Sequence, residues 1–85
     1  IDLARILFKG GSYKEAAKIL NGLSHENPES IRRVILAYML SIIKKGRNER
    51  AHDLIYFFKE PFLGYGDDEV KLWYLVHGIL NDLNL

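Results

Sequence analysis

The sequence contains no cysteine, and this absence excludes disulfides and thiolate metal sites. A cysteine-free chain is typical of a reducing compartment, so we expect a cytoplasmic location. Neither sign of charge dominates, since twelve Lys and Arg stand against eleven Asp and Glu, a net charge of +1. That balance gives no field strong enough to require nucleic acid or an anionic membrane. The longest apolar run is shorter than the roughly 18–20 residues of a membrane span, so no membrane partner is expected.

The patterns that carry catalysis are missing as well. Gly10 and Gly11 lack the spacing and the preceding strand of a phosphate-binding loop, and no serine has a base placed beside it. The three histidines, His25, His52 and His77, are too far apart for the zinc spacing of a metalloprotease. His77 is interpreted as a packed or hydrogen-bonded residue and His25 as a loop residue at the surface. We therefore expect no enzyme activity, no cofactor and no metal in this chain.

One acidic run has two interpretations. Asp67, Asp68 and Glu69 follow one another directly before an apolar helical pattern. They could form a hard-metal cluster. The favoured interpretation is a helix start, because negative side chains complement the positive end of the helix dipole.

The chain is organised around the stretch from Ile31 to Ile43. Its apolar residues recur with the i, i+3, i+4, i+7 spacing of a helix, and Leu36 and Leu40 add a second apolar flank. Only Arg32, Arg33 and Ser41 interrupt the apolar surface, so this helix is expected to be buried nearly all round as the central element.

Four further helices are predicted around it, with boundaries set by capping and breaking residues. Ser12, Asn27 and Asn48 are typical N-caps, and Gly10 and Pro61 are typical stops. The predicted helices are 2–8, a second opening at Ser12, a third from Pro28 to Lys45, a fourth from Asn48 to Glu60 and a fifth running to Leu83. The expected fold is all-α, a compact bundle of about five helices. We expect residues 1–85 to form a single domain that is a fragment of a longer chain.

Two surfaces are candidates for function. Four cations in seven residues, Lys44, Lys45, Arg47 and Arg50, could contact phosphates, although a solvated helix end explains them too. A set of aromatics near the fourth and fifth helices exceeds what so short a chain can bury, so some could form an exposed partner surface rather than cap the core. The candidate interface residues are Tyr56, Phe57, Phe62, Tyr65, Trp73 and Tyr74.

The middle of the chain resembles a known family. The residues that carry the likeness are Ile31-Arg32-Arg33, Ala37-Tyr38, Arg50-Ala51 and Glu60-Pro61-Phe62. In this order they resemble the C-terminal helical domain of clamp-loader-like AAA+ ATPases. The likeness covers 28–62 directly, and 64–83 stand where that domain's last helix belongs.

The resemblance implies a collar, the helical module through which neighbouring subunits join. It implies an oligomerisation scaffold of a DNA-replication ATPase, with sister subunits or further copies as partners and DNA reached through the whole assembly. ATP and Mg²⁺ are expected only in domains upstream of this one. Two alternatives remain open, a small nucleic-acid-binding module using the basic cluster and a peptide-binding adaptor, which requires a hydrophobic groove.

Overall fold

The computed structural model describes residues 2–82, and five α-helices followed by one π-helical turn account for most of them. No strand occurs in this range, so the expected all-α bundle of about five helices is confirmed. None of the helices in this range combines the length and apolar character that a membrane span needs. The elements are α1 (Asp2–Lys9), α2 (Tyr13–Gly22), α3 (Pro28–Ile43), α4 (Glu49–Phe58), α5 (Asp68–His77) and the π turn (Gly78–Asp82).

Local sequence sets the helix starts as expected. The side chains of Ser12, Asn27 and Asn48 accept hydrogen bonds from backbone N–H groups two or three residues further on, at 3.1, 2.8 and 2.9 Å. Each bond satisfies a donor that the first helical turn leaves without an intrahelical partner. Gly10 ends α1 with φ at +74°, a conformation that costs glycine little.

The helices alternate in direction. Arg50, at the start of α4, bonds the carbonyl of Leu7 near the end of α1. Tyr13, at the start of α2, stacks edge-on against His77 at the end of α5, with ring centroids 5.0 Å apart. One end of the bundle therefore contains the C-terminal ends of α1, α3 and α5 together with the N-terminal ends of α2 and α4.

The core lies between all five helices, and α3 contacts α1, α4 and α5 within it. Met39 is fully buried and Tyr38 is half-buried, which confirms α3 as the central element. The buried apolar residues are Leu3, Ala4, Leu7, Ala16, Leu20, Ile35, Met39, Ala51, Leu54, Phe58, Leu72, Val76, Ile79 and Leu80.

The prediction that α3 is buried on nearly all sides was wrong. Val34 and Leu40 keep 45% and 48% of their surface exposed, whereas Arg32 is buried. The reason is helical phase. Arg32, Ile35 and Met39 are spaced i, i+3, i+7 and form the inward stripe, while Val34 and Leu40 turn away from it. Only part of the circumference of α3 is covered, because its contacts with α1, α4 and α5 leave the side that carries Val34 and Leu40 open.

The connection from α4 to α5 places its two aromatics differently. Phe62 packs against the core, whereas Tyr65 is 81% exposed. The α-helix of α5 stops at His77, and the π turn then buries the consecutive residues Ile79 and Leu80. Leu83, to which the fifth helix was predicted to run, lies outside the described residues.

Candidate interaction surfaces

A buried ion pair fixes the segment beside the aromatic residues. The guanidinium of Arg32 donates to both carboxylate oxygens of Glu29, with Nε to Oε1 at 2.6 Å and Nη2 to Oε2 at 2.5 Å. Its third nitrogen, Nη1, donates to the carbonyl of Phe58 at 2.6 Å, at the last residue of α4. Glu29 in turn accepts from the backbone N–H of Phe62 at 2.9 Å. The pair therefore ties the start of α3 to the end of α4 and to the chain that follows it.

The charges in this network reinforce each other. The hydrogen bonds from Arg32 hold the pKa of Glu29 down to about 2, against the opposing effect of burial and with help from the N–H of Phe62. The same contact raises the pKa of Arg32. Arg33, one helical turn after Glu29, also reaches this carboxylate at 3.3 Å, but the Arg33 side chain is largely exposed. Across the physiological pH range the Glu29 carboxylate is therefore ionised, and its negative charge balances the positive charge of the buried Arg32 guanidinium.

Part of the predicted aromatic interface comes together as one surface. Phe57, Phe62 and Tyr74 line a cleft of about 300 Å³ between the end of α4 and α5, and Tyr56 meets Phe57 edge-on at 5.7 Å. We call Tyr56, Phe57, Phe62 and Tyr74 the aromatic surface. Tyr56 is 63% exposed and Tyr74 is 76% exposed. Large aromatics left this accessible are typical of sites where another molecule packs.

Cations flank the aromatic surface. The ammonium of Lys59 lies 5.0 Å from the centre of the Tyr56 ring, and the guanidinium carbon of Arg32 lies 6.0 Å from that of Phe62. Lys71 lines the cleft beside Tyr74. Arg32 is buried and paired with Glu29, so Lys59 and Lys71 are the accessible cations beside these rings, and the acidic Glu60 also lines the cleft.

Two of the six predicted interface residues lie elsewhere. Trp73 lines a different cleft, between α5, the end of α2 and the start of α3. Tyr65 stands in the α4–α5 connection and lines neither cleft. The structure therefore places Phe57, Phe62 and Tyr74 around one cleft, adds Tyr56 through its contact with Phe57, and separates Tyr65 and Trp73 from them.

The basic cluster divides in a similar way. Lys44, Lys45 and Arg47 are exposed after the end of α3, and Arg47 pairs with Glu49 at 2.9 Å. Arg50 instead donates from Nη2 to the carbonyl of Leu7 at 2.7 Å and is half-buried. It satisfies a carbonyl at the end of α1, so three of the four predicted phosphate contacts remain accessible.

The acidic run begins α5, as the favoured interpretation has it. Asp67 is the N-cap position but makes no capping bond with its side chain, and Asp68 Oδ1 accepts from the N–H of Gly64 at 3.1 Å. Over residues 2–82 no group of three or more histidines, aspartates or glutamates is placed to hold a metal ion.

The Glu29–Arg32 pair is the feature that sequence reasoning missed. A signal for it was present, because Arg32 shares the helical phase of Ile35 and Met39 and has an acid three residues before it. A charged residue on a buried helical stripe, with an opposite charge three residues before it, indicates a buried ion pair rather than a break in the apolar surface.

Comparison with known proteins finds no family model, no curated protein and no solved structure that matches the chain. The function proposed next therefore depends on the geometry of the described residues and on the sequence resemblance.

Proposed function

We propose that this chain is an association module that joins its parent protein to sister subunits or to further copies of itself. The observation that carries the proposal is the aromatic surface, where Tyr56 and Tyr74 remain mostly exposed beside a cleft lined by Phe57 and Phe62. Aromatic anchors next to a concavity are the usual centre of a protein–protein interface.

Rigidity of the surface supports the same proposal. Arg32 donates to the carbonyl of Phe58, and Glu29 accepts from the N–H of Phe62, so these two bonds hold the backbone at both ends of the segment 58–62. A surface whose backbone is fixed in advance loses less conformational entropy when a partner binds. The aromatic rings thus present a defined shape rather than a flexible loop.

The finer assignment rests on the resemblance to the collar domain of clamp-loader-like AAA+ ATPases. Under it, the module holds the ATPase domains of a DNA-replication assembly in register, and nucleotide chemistry belongs to other domains. The resembling residues Glu60-Pro61-Phe62 line the cleft of the aromatic surface, which supports a role for them in association.

Light scattering coupled to size exclusion tests the proposal over a series of chain concentrations. We expect the mass to rise with concentration, and Tyr56→Ser combined with Tyr74→Ser to abolish the rise. The matched control is Leu63→Ser, because Leu63 is 61% exposed but does not line the aromatic cleft. A strictly monomeric chain that also fails to bind its full-length parent would overturn the proposal.

Exposed cations at the end of α3 favour a second candidate, direct binding of nucleic acid. Lys44, Lys45 and Arg47 are all exposed within four residues after the end of α3, and Arg47 is paired with Glu49. Fluorescence anisotropy with labelled DNA across a salt series decides the matter, since phosphate contacts weaken steeply as salt rises. Absence of binding, or binding that is insensitive to salt, contradicts this candidate.

A further inference from the structure

A second cleft shares no lining residue with the cleft of the aromatic surface. It combines an apolar floor with an acidic rim. It has a volume of about 350 Å³ and lies between the end of α2, the start of α3 and the start of α5. Leu20, Ile31 and Trp73 supply apolar lining, and Glu26, Asp68 and Glu69 supply carboxylates. We call these six residues the Trp73 cleft.

The carboxylates come from separate elements. Glu26 stands in the α2–α3 loop, and Asp68 and Glu69 stand in the first turn of α5. Among the residues 2–82, no hydrogen bond or ion pair engages the side chains of Glu26 and Glu69, and both residues are exposed. No lysine or arginine lines the cleft. The two sides of the cleft therefore carry negative charge that the chain itself leaves unneutralised there.

Helix dipoles account for the position of the acidic residues on both sides of the cleft. Asp68 and Glu69 lie in the first turn of α5, and Glu26 directly precedes Asn27, the N-cap of α3, so each lies near the positive end of a helix. No lysine or arginine lines the cleft and His25 in the loop lies outside its lining, so the lining keeps a net negative charge.

Trp73 is the aromatic residue in the lining of this cleft. It is half-buried against the core, and indole is the aromatic ring that attracts a cation most strongly. A lysine or arginine side chain has an apolar stem for such a floor and a charged head for such a rim.

We propose that the Trp73 cleft binds a basic peptide segment of a partner protein, with one arginine or lysine side chain lying over the Trp73 ring. Charge complementarity selects this occupant, because carboxylates on both sides of an apolar floor match a segment that alternates basic and apolar side chains. The site is distinct from the aromatic surface, so it does not depend on the association proposed above.

The chain carries its own reporter for this site, since Trp73 is the one tryptophan in the sequence. Titration with a short peptide of arginine, leucine and glycine should give a saturable change in tryptophan fluorescence. The same peptide with glutamate in place of arginine should give none. Binding should weaken with added salt, because the rim charges are exposed.

Exposed rim residues allow a variant that leaves the core untouched. Glu26→Gln combined with Glu69→Gln should weaken peptide binding about fivefold, the loss expected for two exposed charge pairs. The matched control is Glu15→Gln combined with Glu49→Gln, which removes the same charge from residues outside the cleft. Circular dichroism should show both variants folded, and Tyr74→Ser should bind the peptide as the unmodified chain does.

Three results would overturn the proposal. The first is an unchanged fluorescence with the arginine peptide. The second is equal binding by the rim variant and its control. The third is self-association of the chain that only the rim variant abolishes, which would make a second copy the occupant, with Lys44 and Lys45 as its basic side chains.

Discussion

Replacing Glu29 by glutamine tests whether the buried ion pair holds the α3–α4 contact together. Glutamine keeps the shape and a carbonyl oxygen that can accept from Arg32 Nε and from the N–H of Phe62. It removes the negative charge, so the guanidinium of Arg32, which is 5% exposed, loses its counter-ion. The substitution therefore isolates the electrostatic part of the network.

The pKa of Glu29 sets the expected size of the effect. Its fall from 4.5 to about 2 corresponds to at most roughly 3 kcal/mol, at 1.36 kcal/mol for each tenfold change in acidity. The Glu29 side chain is 17% exposed, so water screens part of that energy. We expect Glu29→Gln to lower the free energy of unfolding by about 2 kcal/mol at neutral pH, which is roughly 10 °C in Tm for a chain of this length.

The pH dependence identifies the cause. A carboxyl whose pKa is lowered by folding stabilises the folded state above its unfolded pKa, and this contribution is lost as the pH falls through the folded pKa. For Glu29 the loss runs from about pH 5 down to about pH 2. The difference in stability between the unmodified chain and Glu29→Gln should therefore shrink over that window and approach the residual cost of losing a hydrogen bond.

Urea unfolding followed by circular dichroism measures both quantities across pH 2 to 7. Glu15→Gln is the control, because Glu15 is an exposed acid whose side chain makes no hydrogen bond or ion pair within residues 2–82. The reasoning is refuted if Glu29→Gln costs under about 0.5 kcal/mol at pH 7, the range of ordinary surface substitutions. An equal difference at pH 2 and pH 7 would refute it as well.

Three further substitutions test the packing, a cap and a turn, each by urea unfolding at pH 7. Phe58→Ala should cost about 3–5 kcal/mol, because Phe58 is fully buried and its removal leaves a cavity; a cost under 1 kcal/mol would mean that the core is not formed as described. Asn48→Ala should cost about 1 kcal/mol through the lost cap on α4, and Asn48→Asp should restore it. Gly64→Ala should cost about 1 kcal/mol from its positive φ alone, since no atom lies within 4 Å of the added carbon, whereas an unchanged stability would contradict that backbone conformation.

Local structure followed from local chemistry, which is why it could be predicted. Ser12, Asn27 and Asn48 cap helices through bonds to residues two or three positions away, so the sequence itself brings donor and acceptor together. Helical periodicity also predicted the number of helices.

Surfaces were predicted less well, because exposure depends on which neighbours cover a side chain. The aromatic set was identified by composition, but only packing separated Tyr56, Phe57, Phe62 and Tyr74 from Tyr65 and Trp73. The same limit applies to Arg50, whose partner is a carbonyl 43 residues away in the chain.

By itself the sequence determined an all-α chain of about five helices, three of them with side-chain N-caps, no thiol chemistry and a nearly balanced charge, since each of these follows from residue types and short spacings. Only the tertiary structure decided which flank of α3 is buried, that Arg32 lies inside with Glu29, and that Trp73 lines the same cleft as Glu26, Asp68 and Glu69. Those features join residues that are distant in the chain or depend on the phase of one helix against another, and packing alone sets that relation.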